Sequence, residues 1–189
     1  MSDRYYAHIE IGGILHPDML EEFIELIESN DPSEFCKSNL EQQDTNSCGP
    51  LLNSPLESEI KRINGKYTLA FEDSSARYGE FEEIEDWCRK NKLAYRRQSS
   101  GYYDSLPCTE WYDPIYTDHA HNITCSNGGE ALVYLSILKK AVSEGTITEI
   151  IEINDRVTNT PLPALWITDG SKGDEFLLVP DSPSGALPA

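Results

Sequence analysis

The chain has 189 residues, 33 acidic and 15 basic, for a formal net charge of −18. That surplus excludes a direct non-specific grip on DNA, RNA or anionic lipid, which needs cations to displace counterions, and it suits a partner that is itself basic. With 39% hydrophobic and 25% charged residues, the chain has the apolar content of a folded protein and the length of one domain.

In chain order, Tyr5, Ala7, Ile9 and Ile11 alternate with Tyr6, His8 and Glu10, which is strand periodicity, and Gly12-Gly13 break the run. Pro17 and Asp18 then suit a first helical turn. Met19, Leu20, Phe23, Ile24 and Ile27 follow at helical spacing, up to the stoppers Ser29 to Pro32. Residues 32–65 read as a polar insertion with one short helix near 55–63. A second strand and helix follow, from Tyr67, Leu69 and Phe71 to Phe81, Ile84, Trp87 and Cys88. Arg89, Lys90 and Lys92 complement the dipole of that helix. These two strand–helix units have the look of a diverged repeat, although two amphipathic units also agree by chance.

Beyond them, Leu93 to Arg97 and Thr109 to Tyr112 read as a strand pair, with Gly101 to Asp104 extending the first. A third helix is expected to open at Asn127 to Glu130, with Leu132, Leu135, Leu138 and Val142 as its stripe and Gly145 as its end. Ile147 to Ile153 and Ala164 to Thr168 read as strands. The predicted fold is α+β, a mixed or antiparallel sheet with about three amphipathic helices on one face. It forms a single domain over 1–179, and 180–189 reads as a flexible tail.

No run of about 18 apolar residues predicts a membrane span. No basic region followed by an apolar stretch predicts a leader peptide. The five cysteines, Cys36, Cys48, Cys88, Cys108 and Cys125, are odd in number. They suit reduced thiols in a cytoplasm, with a Cys36–Cys48 bridge as the alternative.

Asp18, Glu21, Glu22, Glu25 and Glu28 recur at helical spacings on the first helix with no base beside them. Each like-charge pair of this kind costs a helix ~0.2–0.5 kcal/mol. Glu80, Glu82, Glu83, Glu85 and Asp86 add acid to the second helix. Residues 1–34 hold nine acids and one base, whereas 35–66 hold four of each. The charge is therefore concentrated. It reads either as a solvated face or as a surface that docks on a basic groove, with Asp18, Glu21, Glu22, Glu25, Glu28, Glu82, Glu83 and Asp86 as the contact residues.

His119 and His121 point to one side of an extended segment, so both imidazoles could reach one zinc ion with Cys125, and Cys108 as a fourth ligand. The spacing matches no standard zinc module, and an exposed histidine pair is the plainer reading, so no cofactor is assigned outright. No G-x-S-x-G, Walker loop, H-E-x-x-H or G-x-G-x-x-G is present, and no catalytic residue is assigned. Gly12-Gly13 and Gly128-Gly129 suit turns better than anion sites. The aromatic residues between 95 and 116, with Tyr102, Tyr103, Trp111 and Tyr112 foremost and Arg96 and Arg97 beside them, fit either a sheet core or a protein-binding surface.

Ala76-Arg77-Tyr78-Gly79-Glu80-Phe81-Glu82-Glu83-Ile84-Glu85, then Leu93 to Arg97, then Gly101-Tyr102-Tyr103, is similar to small acidic accessory proteins of bacterial plasmids, integrative elements and phages. The resemblance covers about forty residues and carries no functional residue with it. It implies a setting in which inhibitors of host defence are common, among them anti-CRISPR and anti-restriction proteins that are acidic DNA mimics. The expectation is a non-enzymatic inhibitor that occupies the basic surface of a nucleic-acid-handling protein or complex, without touching nucleic acid or membrane itself. The alternatives are a small metal-dependent enzyme using His119, His121 and Cys125, and a regulatory subunit that binds through the aromatic cluster.

Overall fold

A computed structural model describes residues 4–30, 34–38, 56–101 and 106–168. The tail at 180–189, most of the insertion, Tyr102, Tyr103, Cys48 and the side chain of Cys36 lie outside the described residues. The elements in chain order are β1 (Arg4–Leu15), a short 3-10 turn (Pro17–Met19), α1 (Leu20–Asn30), β2 (Glu34–Ser38), α2 (Leu56–Ile63), β3 (Thr68–Arg77), α3 (Glu82–Lys90), β4 (Ala94–Ser99), β5 (Cys108–Tyr112), β6 (His121–Cys125), β7 (Ala131–Leu132), α4 (Leu135–Glu144), α5 (Ile147–Asn159) and β8 (Leu165–Ile167).

The strands form a sheet ordered β2-β3-β1-β4-β5-β6-β7, antiparallel throughout, with β8 added parallel to the end of β1. The fold is therefore α+β, as the alternation of helical and strand periodicity predicts. Ile9 stands opposite both Phe71 and Arg97, and Ile11 opposite both Leu69 and Tyr95. Because strand side chains alternate, these residues share one face with Ala7. That face is covered by Phe23 and Ile27 of α1, Leu56, Ile60 and Ile63 of α2, and Ile84, Trp87 and Cys88 of α3. A second cluster, Ala94, Trp111, Ile123, Cys125, Val157 and Leu162, forms on the opposite face under α5.

Three helices do pack on one face, but α2 takes the place expected for the helix near 130–143. Asn127 to Glu130 start no helix. Gly129 has φ 82°, its N–H donates to the Ser126 carbonyl at 2.9 Å, and the segment turns β6 into β7. α4 begins only at Leu135 and ends on Gly145, which adopts the left-handed conformation (φ 73°) that favours glycine at a helix end.

Ile147 to Ile153 is a helix rather than a strand. Its isoleucines satisfy a period of two in part, but Ile150, Ile153 and Val157 satisfy a helical period. The amides of Asn154 and the hydroxyl of Thr158 donate back to carbonyls four residues earlier, at 2.7 Å each.

β1 does not stop at Gly12-Gly13. A Cβ on Gly12 would lie 1.8 Å from the Pro163 carbonyl oxygen, so the missing side chain lets the segment before β8 cross the strand. Gly65 serves the same end: its N–H donates to Leu165 at 2.7 Å, and the Trp166 ring covers its α-carbon.

Candidate interaction surface

α1 is built by its own stripe. Phe23 and Ile27 are fully buried, and Leu20, Ile24 and Leu26 pack around them. Burial of that stripe leaves Asp18, Glu21, Glu22, Glu25 and Glu28 on the exposed side. α3 lies beside α1. The Trp87 ring stacks on Phe23 at 4.8 Å, its indole N–H donates to Glu22 Oε1 at 2.8 Å, and Asn30 Nδ2 donates to Glu83 Oε2 at 3.2 Å. Glu82, Glu83 and Asp86 are exposed on α3. Seven of the eight acids singled out from sequence therefore lie on two neighbouring helices on the same side of the sheet, and Asp18 sits in the 3-10 turn that leads into α1.

They are not equivalent. Asp86 is paired with Arg89 on its own helix, Asp18 lies 3.4 Å from His16, and Glu22 is occupied by Trp87. Glu21, Glu25, Glu28 and Glu82 make no ion pair among the described residues. Between α1 and α2 runs a groove of about 490 Å³. Pro17, Leu20, Ile24 and Leu56 give it an apolar floor, and Glu21, Glu25, Glu28 and Glu57 rim it. Glu57, which is bridged to Lys61, was not singled out from sequence. Its signal was its place in the amphipathic stretch near 55–63.

Glu85 belongs elsewhere. It is 4% exposed and lies 2.7 Å from Arg97 Nε, itself 1% exposed. That N–H is not aimed along the contact, so charge rather than an aligned hydrogen bond holds the pair. Glu110 meets Arg97 Nη2 at 3.1 Å and accepts from the Tyr95 hydroxyl at 2.6 Å. Arg89 joins the same cluster through Tyr95 and Glu110. Burial pushes the Glu85 carboxyl up to about 7, against the lowering effect of Arg97. Burial and the bond to Glu110 also push the Tyr95 hydroxyl up. These charges tie α3 to β4 and β5.

Trp111 and Tyr112 are 0% and 1% exposed, which removes them as a protein-binding surface. β5 is an inner strand covered on both faces, with Tyr112 beneath α3 and Trp111 beneath α5. Arg96 and Arg97 point to opposite faces of β4, and Arg96 donates to the Thr160 carbonyl, so no alternating stacking platform forms.

The histidines stand apart. The His119 and His121 rings are 4.6 Å apart, and Asp118 Oδ1 lies 2.6 Å from His119 Nδ1. They line a cleft of about 390 Å³ with Tyr116, Glu149, Glu152 and Arg156. Desolvation, then the charges of His119 and Arg156, lower the His121 pKa. Cys125 is not brought to this cleft. It lies four residues along β6 from His121, roughly 13 Å at strand rise, and is buried against Thr109. The set His119, His121 and Cys125 thus cannot share one ion, and a thiol–imidazole pair between Cys125 and His121 is excluded by the same distance. Among the described residues no three His, Cys, Asp or Glu side chains are grouped to hold a metal. Cys108 sits on the other face, 3.0 Å from Ser99 Oγ.

The fold and this surface define an α+β protein with an acidic helical face on one side of an antiparallel sheet. Comparison with protein-family models, curated proteins and solved structures finds no match to this chain. No described helix is long and apolar enough to cross a membrane.

Proposed function

We propose that this protein is a non-enzymatic interaction protein whose acidic α1–α3 surface occupies the basic nucleic-acid-binding surface of a partner, as a DNA-mimic inhibitor of host defence of the anti-CRISPR or anti-restriction type. The observation that carries this reading is the exposed row Glu21, Glu25 and Glu28 on α1, which makes no ion pair among the described residues. Carboxylates on a rigid helical layer present negative charge at fixed spacing, as a phosphate backbone does. Association through them is fast and weakens with salt. A cytoplasmic setting accords with the free thiols of Cys88, Cys108 and Cys125.

The test is competition. A partner captured from host lysate in the presence of nuclease is titrated with duplex DNA and with this protein. Mutually exclusive binding, with affinity falling steeply in salt and lost in Glu21→Lys/Glu25→Lys/Glu28→Lys, supports the reading. Simultaneous binding of DNA and this protein, or an affinity indifferent to the triple reversal, refutes it.

A further inference from the structure

α4 carries Leu135, Ile137, Leu138, Ala141 and Val142, yet only Ala141 is buried. A ten-residue helix is marginal in water without a packed face. α5, joined to it through Gly145 and Thr146, is fastened to the sheet by Val157 and Ile153, but it leaves Ile147 and Ile151 exposed. Seven of the thirteen exposed large apolar residues among the described residues lie between Leu132 and Ile151. On the helices they form rows. Leu135 and Val142 are two turns apart on α4, and Ile147 and Ile151 are one turn apart on α5. Leu132 and Tyr134, 41% and 58% exposed, lie at the foot of the hairpin.

We infer that the α4–α5 hairpin is the interface of a homodimer, in which the two hairpins pack about a two-fold axis as a four-helix bundle. Two features point to a second copy rather than to an unlike partner. The first is area. Leu132, Tyr134, Leu135, Val142, Ile147 and Ile151 are each 37% to 65% exposed, so one hairpin shows water six large apolar side chains, where a monomer ordinarily shows them singly and a standard interface buries ~800 Å² per partner.

The second is charge. α4 holds two bases and one acid, the only described helix with a net positive charge, whereas α5 holds three acids and one base. Lys139 lies on the Leu135 row and Asp155 on the Ile151 row, each one turn on. Neither makes an ion pair among the described residues. A two-fold axis that sets α4 of one copy against α5 of the other brings Lys139 to the partner copy's Asp155, and does so twice, as a self-complementary interface requires. The α1–α3 acids pack on the opposite face of the sheet from α5, and at physiological salt charge acts over only ~8 Å. The dimer would carry two acidic faces directed outward, but the inference stands apart from what those faces bind.

Analytical ultracentrifugation of the full chain, with circular dichroism on each sample, tests it. The expected species is twice the 21.3 kDa of one chain, reverting to one chain in Leu135→Glu/Val142→Glu. Because those changes fall on a weakly anchored helix, the charge pair supplies a second arm. Lys139→Asp and Asp155→Lys alone each weaken dimerisation at least tenfold, and together they restore it. A wild type that stays monomeric at about 100 µM, where even weak dimers with that dissociation constant are half formed, overturns the inference. So does a dimer that survives Leu135→Glu/Val142→Glu, or a double charge variant no tighter than the singles.

Discussion

Arg97 and Glu85 meet at 2.7 Å with both side chains withdrawn from water, and Glu110 closes on the same guanidinium from the neighbouring strand. Removing one member of a buried pair leaves the others uncompensated, at a cost of about 3–5 kcal/mol. Arg97→Met is therefore expected to lose stability on that scale in urea titrations. Arg97→Met/Glu85→Met should recover part of the loss, because it deletes the orphaned charge as well.

The same cluster sets a pH dependence. Glu85 titrates at about 7 in the folded protein and near ~4.3 in an unfolded chain. Between those values the folded state holds the extra proton, so the stability tied to Glu85 is fully present below the lower value and is lost as pH rises through the upper one. Unfolding measured from about pH 5 to about pH 8 should show the wild type losing stability relative to Glu85→Gln, whose side chain has nothing to titrate.

Gly12 is a position where no side chain fits, since its Cβ would overlap the Pro163 carbonyl oxygen. Gly12→Ala should cost at least ~1–3 kcal/mol, the usual cost of overpacking. Hydrogen exchange should show the loss concentrated at β8 and at the Gly65 amide that pairs with Leu165. Gly129→Ala has open space around it and only its positive φ to oppose it, so it should cost the ~1–2 kcal/mol of a left-handed Cβ alone and leave exchange at β8 unchanged.

Glu25 has like charges at Glu21, Glu22 and Glu28, all within four residues on an exposed helix face. Relieving three such pairs in Glu25→Gln should raise stability by about 0.6–1.5 kcal/mol at low salt. The gain should shrink toward zero in about 0.5 M sodium chloride. A thermal melt in two salt concentrations measures it. A residue that lowers stability at a site with no packing role is consistent with selection for surface charge.

How much of this was legible in the chain depends on the range of the interaction. β1, α1, β3 and α3 follow from periodicities set by neighbours a few residues away, and so does the short α2. β2 and β6 went unread, because each is only five residues long, with too few positions for a period of two to stand out. Tertiary context also settled the isoleucine run of α5, whose β-branched residues carry strand propensity but whose buried positions are spaced as a helix. The acidic surface was half legible. Its carboxylates could be counted, but Glu85 reads like its neighbours and differs only because Arg97, twelve residues on, is folded beneath it.

By itself the sequence determined the α+β class, the amphipathic helices and the concentration of acid near the N-terminus, since each depends on local spacing and composition. Only the tertiary structure decided that α1 and α3 are neighbours, that Trp111 and Tyr112 lie inside, that Cys125 is held away from His119 and His121, and that α4 and α5 keep an apolar face in water. Those outcomes depend on which strands adjoin and which face each helix covers. Pairings between residues tens of positions apart set them, and no local pattern encodes those pairings.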